Sequence, residues 1–250
     1  MYRSSVRRVF LSSPLEGEPT TIALEREVAH HLVKVLRLRP GTLVDAADGS
    51  GRLFQGRLEE AGEGWELQDA QVVYREAAAP PRILVASLIK MDRFEWVIEK
   101  AGELGVDRLI PVNASRSVVE IEARKVSDRV ARWQKIADGA VRQSERMRGL
   151  IVDAPTSLSA ALEATSTAQL LMLDEEVATT PWPELTMDRG VAMFIGPEGG
   201  WTQEERETLE RSGASRCGLG PSVLRAETAA LASMALVHAL TARLVRSRGD

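Results

Sequence analysis

The chain has 250 residues, 44% hydrophobic and 27% charged, a composition that places it among folded globular proteins long enough for two unequal domains. Thirty-two Lys and Arg against 36 Asp and Glu leave a formal charge of −4, and the single cysteine, Cys217, excludes an internal disulfide and a thiolate metal cluster. Residues 1–5 lack an apolar leader and the most apolar stretch, residues 229–240, is too short to span a bilayer, so a reducing, cytoplasmic setting away from membranes is expected.

Residues 7–11 read as a short strand, and residues 25–37 as a helix with Val28, Leu32, Val35 and Leu36 on one face. Residues 42–46, 52–58 and 65–73 read as strands separated by the turns Asp48-Gly49-Ser50-Gly51 and Gly62-Glu63-Gly64. Several short strands with one helix predict a small barrel. Residues 74–82, with Ala77-Ala78-Ala79-Pro80-Pro81, read as a linker.

The pattern then changes to alternating strands and helices. Residues 83–89 are an apolar run of strand length, and Asp92 with Glu95 has the spacing of a capping box. Phe94, Val97, Ile98, Ala101 and Leu104 form the stripe of the helix that follows, ended by Gly105. Residues 106–112 predict a strand, and residues 128–146 a helix through Val130, Trp133, Ala137 and Val141. Residues 168–173 and 191–195 read as buried strands. Thr202 with Glu205 is a second capping box, opening a helix to Arg211. A last strand near Cys217 precedes a helix over about residues 226–245, apolar nearly all round and expected to be buried. The predicted class is α/β with a parallel sheet.

Charge is unevenly placed. Residues 1–57 hold nine Lys/Arg against six Asp/Glu (+3), residues 122–148 eight against four (+4), and residues 158–210 two against eleven (−9). The basic segments admit phosphate contacts with a nucleic acid, because the local field steers a polyanion more than the distant total does. A solvated mixed-charge surface is the other reading.

Ligands of open α/β sheets bind beyond the carboxyl ends of the strands. Three turns qualify: Leu173-Asp174-Glu175, Gly196-Pro197-Glu198-Gly199-Gly200, and Leu219-Gly220-Pro221-Ser222-Val223-Leu224-Arg225. The glycine turn fits neither a Walker A loop nor a G-x-G-x-x-G fingerprint. Glu198 would repel a phosphate held by the turn's amides, so hydroxyls or a positively charged ligand suit it better. S-adenosylmethionine, with a sulfonium, an ammonium and a ribose diol and no phosphate, has that chemistry. A plain strand–helix turn remains the alternative. Arg225 opens the last helix with the wrong charge for its macrodipole. It is therefore functional or the partner of a structural ion pair with Glu227 or Glu198. His30, His31 and His238 show no metal-ligand spacing, so no metal is expected; Trp201 alone among the tryptophans adjoins the inferred pocket.

Together these segments resemble the RsmE family, the 16S ribosomal RNA uridine-N3 methyltransferases of the SPOUT superfamily, over nearly the whole chain. At the N-terminal end the resemblance rests on Arg8, Phe10, His30-His31-Leu32-Val33-Lys34-Val35-Leu36-Arg37, Pro40-Gly41 and Asp48-Gly49-Ser50-Gly51. In the middle it rests on Lys90, Glu95-Trp96, Lys100 through Val106, Pro111, Arg116-Ser117 and Gln143-Ser144-Glu145-Arg146. Toward the C-terminus it rests on Ile195 through Gly200, Leu219-Gly220, and Leu224 through Ala229. The chain departs from the family at Pro221-Ser222-Val223, usually a bulkier basic or polar residue followed by Ile, and at Gly102, more often Thr or Ala.

The resemblance implies a PUA-like RNA-binding barrel over residues 1–73 and a SPOUT methyltransferase domain over residues 74–250, trefoil-knotted, with the knot and cofactor site at about 170–230. It implies that S-adenosylmethionine is held by Leu173, Asp174, Ile195, Gly196, Pro197, Gly199, Leu219, Gly220, Ser222 and Leu224. Arg225 and Glu198 are the expected catalytic pair, Arg225 beside uracil O2 or O4 and Glu198 positioning the cofactor or the base. Arg8, Lys34, Arg37 and Arg116 are candidate RNA contacts, with simple surface charge as the alternative. A homodimer is implied, with each active site near the interface. The implied substrate is a decoding-region uridine, the uridine 1498 type, in 16S ribosomal RNA of the small subunit. Rival readings are a SPOUT enzyme acting on tRNA and a non-catalytic RNA-binding or ribosome-assembly factor.

Overall fold

Alternating apolar and polar residues build the first of two units, which comprises Met1–Ala78 and Glu145–Gly149. The computed structural model describes residues 6–177, 182–186 and 188–246; the absent leader read at residues 1–5 lies outside these. β1 (Arg7–Phe10), β2 (Ile22–Ala23), β3 (Leu43–Ala47), β4 (Arg52–Ala61) and β5 (Gly64–Arg75) form one sheet in the order β1-β3-β4-β5-β2. β1 is parallel to β3 and the remaining pairs are antiparallel. Val9, Ile22, Leu32, Val44, Phe54, Leu58 and Leu67 belong to its core.

Between β2 and β3, α1 (Arg26–His30) runs on as a π-helical turn over His31–Val35. The wider turn rotates the side chains out of the 3.6-residue pattern. Leu32 is fully buried, whereas Val35, predicted on the same face, is 58% exposed. Residues Glu145–Gly149 complete the unit: Met147 packs with Ala47 and Leu53, and the Gly51 N–H donates to the Met147 carbonyl at 2.9 Å.

The second unit contains, in chain order, β6 (Arg82–Ser87), α2 (Met91–Glu103), β7 (Arg108–Val112), α3 (Val126–Gln143), β8 (Ile151–Val152), α4 (Leu158–Ala164), β9 (Gln169–Leu173), β10 (Val191–Ile195), α5 (Gln203–Arg211), β11 (Ser215–Cys217) and α6 (Ala226–Arg246). Its six strands are all parallel, in the order β11-β9-β10-β6-β7-β8. Successive side chains of a strand face opposite ways, and here both faces are covered. Val191, Met193 and Ile195 of β10 join one core cluster with residues of α2, α3 and α6. Ala192 and Phe194 join the other, with residues of α4 and α5. That double burial turns a strand into a continuous apolar run.

Phe94 of α2 packs on Trp133 of α3 with ring centroids 4.9 Å apart. Gly102 sits at the same helix contact, where an added Cβ would fall 2.7 Å from the Ala140 Cβ. The absence of a side chain at this departure from the family lets the two helices approach.

Three expectations are corrected. α2 begins after Lys90, with no side-chain cap, so Asp92 and Glu95 form no capping box. Glu95 instead accepts from Arg132 Nε (2.6 Å) and Nη2 (2.7 Å) on α3. That bidentate, charge-assisted geometry outcompetes a return to the helix start; the Arg132 hydrogen bond holds the Glu95 carboxyl below its usual range. α3 stops at Gln143, short of the predicted 146, because Glu145 turns into the left-handed region (φ 54°). α6 is buried along a single stripe, Ala230, Ser233, Met234, Val237 and Thr241, while Ala235 and Ala239 are exposed. Among the described residues no helix is long and apolar enough to cross a membrane.

Candidate functional site

β9, β10 and β11 end level with one another: Leu173 pairs in register with both Ile195 and Cys217. Parallel strands with level carboxyl ends deliver the turns that follow them to one edge of the sheet. The three turns there enclose a cavity of about 360 Å³, within the roughly 300–1,000 Å³ of small-molecule sites. Leu173 and Asp174 line it from the first turn, and Ile195, Gly196, Pro197, Glu198 and Gly199 from the second. Leu219, Gly220, Ser222, Leu224 and Arg225 line it from the third. Glu175, Gly200 and Val223, which belong to these turns but were not expected as contacts, also line it, together with Cys217, Ala226 and Ala229 from outside the turns. Cys217 ends β11, a position that the strand-end rule could have flagged. Burial pushes the Cys217 thiol up to about 11, so it lines the cavity as a neutral apolar group.

The glycine turn is closed by the Gly200 N–H donating to the Pro197 carbonyl at 2.9 Å. Gly200 has φ +66°, where an L side chain is strained. Fully buried Trp201 underlies the turn, its indole 3.3 Å from the position of a Cβ on Gly196. The predicted capping box of α5 is present: Thr202 Oγ1 accepts the Glu205 N–H (3.2 Å) and Glu205 Oε2 accepts the Thr202 N–H (2.9 Å). Thr202→Ala should therefore cost about 1 kcal/mol, read as a lower denaturation midpoint with an unchanged m value.

The charges around the cavity divide into tied and untied. Asp174 is buried, its Oδ2 accepting from Arg206 Nε (3.0 Å) and Arg216 Nη2 (2.7 Å) and its Oδ1 from the Glu176 N–H (3.0 Å). Burial opposes its ionisation, but the Glu176 backbone and the two guanidiniums outweigh that and hold the carboxyl below the usual range. Its side chain is thus occupied, whatever its backbone offers a ligand. Glu175 is tied to Arg206 at 3.2 Å. The side chains of Glu198 and Arg225 are exposed and have no hydrogen-bond or ion-pair partner among the described residues. Glu227, one suggested partner of Arg225, pairs instead with Arg93 at 3.4 Å.

The four candidate RNA contacts lie in different surroundings. Arg8 belongs to the first unit with a side chain only 12% exposed, its Nη1 lying 3.8 Å from the Glu145 carboxylate. Lys34, in the π turn, and Arg37, which has φ 54°, are exposed. Arg116 is exposed, yet its Nη1 donates to the carbonyls of Gly199 (2.8 Å) and Trp201 (3.4 Å).

Comparison with known proteins agrees with this geometry. Residues 77–238 match the RNA methyltransferase domain family, and residues 24–64 match the RNA methyltransferase PUA domain. The ribosomal RNA small subunit methyltransferase E of Mycobacterium tuberculosis is 32% identical over 98% of this chain and 96% of its own length. That of Bacillus subtilis is 30% identical over 93% and 94%. Among solved structures, a methyltransferase E from Neisseria gonorrhoeae bound to S-adenosyl methionine superposes with a TM-score of 0.76 at 28% identity, covering 94% of this chain and 98% of that one. A putative methyltransferase from Legionella pneumophila in complex with the same cofactor gives 0.78 at 28% identity, with coverage of 94% and 98%.

Proposed function

The chain belongs to the ribosomal RNA small subunit methyltransferase E family, and from that premise we propose that it transfers a methyl group from S-adenosylmethionine to N3 of a specific uridine in 16S ribosomal RNA. The observation that carries the reading is the convergence of three strand-end turns on one cavity whose untied charges are Glu198 and Arg225. The lining fits the cofactor. Leu173, Ile195, Leu219 and Leu224 supply apolar walls, and the turns supply backbone donors and acceptors. Glu198 is the untied carboxylate on the cavity wall, which suits a sulfonium or an ammonium and disfavours a phosphate.

The bound cofactor supplies an electrophilic methyl group. Uridine N3 carries a weakly acidic proton that must pass to water or a carboxylate before its lone pair can attack. Arg225, beside uracil O2 or O4, stabilises the negative charge that develops there. Glu198 positions the cofactor or the base. The target uridine leaves its stack to reach the cavity, as enzymes acting on bases require. Exposed Lys34 and Arg37 are the first unit's phosphate contacts.

Two further parts of the reading have structural support. β10 lies between β9 and β6 while β11 returns outside β9, a strand order that suits the trefoil knot. The exposed Ala235 and Ala239 of α6, flanked by half-buried Leu231, Leu236 and Leu240, suit a homodimer. A ribosomal substrate suits a cytoplasmic location. Calorimetric titration of the purified chain with S-adenosylmethionine tests the core of the proposal. One site per chain with micromolar or tighter affinity is expected; no binding heat and no thermal stabilisation would sink it.

A further inference from the structure

The loop after β7, residues 113–117, is joined to the glycine turn although β6 separates β7 from β10 in the sheet. Two side chains make the join. From the loop, Arg116 Nη1 donates to the carbonyls of Gly199 (2.8 Å) and Trp201 (3.4 Å). Its stem lies over Gly199, where an added Cβ would meet Arg116 Cβ at 3.2 Å and Cδ at 3.3 Å. From α5, the buried Glu205 carboxylate accepts the Ser115 N–H through Oε1 (2.7 Å) and the Thr202 N–H through Oε2 (2.9 Å). The loop has its own lock, the Ser117 N–H donating to the Ala114 carbonyl at 3.0 Å.

We propose that Arg116 is a positioning residue for methyl transfer, clamping the carbonyls on either side of Gly200 and so fixing Glu198 and the cofactor-facing backbone of the turn. The inference rests on the cavity being the cofactor site. Glycines at 196, 199 and 200 leave the turn conformationally loose in isolation. Its internal closure is the single Gly200–Pro197 backbone bond already described. A charge-assisted clamp from outside removes part of the ordering entropy that ligand binding would otherwise have to overcome. An arginine whose Nη1 already serves two carbonyls, with its stem laid on the turn, is also poorly placed to swing out to a phosphate. A basic residue that was a candidate RNA contact, with simple surface charge as the alternative, thereby acquires a different part.

The test compares full-length wild type, Arg116→Ala and Arg116→Lys. The measurements are S-adenosylmethionine affinity by calorimetry, single-turnover methyl transfer to small ribosomal subunits, and RNA affinity as a function of salt. Arg116→Ala is expected to weaken cofactor binding about tenfold, the scale of one charge-assisted hydrogen bond. Transfer at saturating cofactor should also slow, while RNA affinity and its salt slope stay as in wild type. Arg116→Lys keeps a cation able to reach one carbonyl and should recover part of the loss. Unchanged cofactor affinity with weaker RNA binding, and a salt slope shallower by about 0.7–0.9, would mark a phosphate contact and overturn the proposal. Wild-type behaviour in every assay would overturn it too. If Arg116→Ala melts far below wild type, Arg116→Lys alone is held to the same outcomes. Wild-type protein that binds no S-adenosylmethionine overturns the cofactor reading and this inference together; indifference of Arg116→Ala beside a binding wild type overturns only the clamp.

Discussion

Arg225→Ala is expected to slow methyl transfer by about 10²–10³-fold, the usual consequence of removing one donor aimed at developing negative charge. The effect should fall on the chemical step. The Arg225 side chain has no partner among the described residues and is exposed, so its truncation strands no buried charge and leaves no core cavity. Folding and the melting temperature should hardly change. Cofactor affinity should change little as well, because a cation beside the uracil contributes mainly after the N3 proton begins to leave. Arg225→Lys should be intermediate, keeping the charge and losing the planar fork that spans two acceptors. Single-turnover transfer with separately measured cofactor binding decides the matter. Full-rate transfer by Arg225→Ala would remove this residue from the mechanism.

Asp174→Asn is expected to act through stability instead, at about 3–5 kcal/mol, the cost of breaking a buried ion pair from one side. Arg206 has a side chain only 8% exposed, and both it and Arg216 converge on Asp174 Oδ2. An amide there offers an acceptor without charge and turns a donor toward one guanidinium. Because Asp174 follows directly on Leu173 at the end of β9, the damage should spread to the first wall of the cavity and weaken cofactor binding secondarily. The acid response carries a second signature. The folded-state carboxyl titrates below its unfolded value, near 3.9. Its contribution is therefore fully present above that value and is lost as pH falls through the lower, folded-state one. Wild type should lose stability below about pH 4, and Asp174→Asn should lack that part of the loss. Urea denaturation at neutral pH and near pH 3 checks both statements; equal midpoints for the two proteins at neutral pH would contradict the first.

The contrast between Arg225 and Asp174 marks what could be read from the sequence. Both stand on turns singled out by the strand-end rule, and both line the cavity. Spacing along the chain could not tell that Arg206 and Arg216, 32 and 42 residues away, occupy one of them and leave the other untied. The α5 capping box was legible because Thr202 and Glu205 satisfy each other locally. The same spacing at Asp92 and Glu95 misled, since the competing partners of Glu95 lie on α3, 34 and 37 residues on. β10 was legible to the residue because burial on both faces leaves it wholly apolar. β2 and β8, two residues each, are too short to show a period, and α4 is a brief alanine-rich turn of helix held by its Ser157 cap. The uniform apolarity of α6 predicted complete burial, but the chain itself covers only one stripe of it. Arg116 shows the same limit: the chain presents it only as a basic residue in a loop, and its carbonyl partners, 83 and 85 residues away, appear only in the fold.

The most direct measurement is methyl transfer from labelled S-adenosylmethionine to purified small ribosomal subunits, 16S ribosomal RNA and tRNA, followed by nucleoside mass spectrometry. Label is expected in N3-methyluridine from the small subunit or its RNA, and tRNA should stay unlabelled. Label in tRNA, at another base position or in ribose, or no label in any substrate from protein that binds the cofactor, would contradict the account.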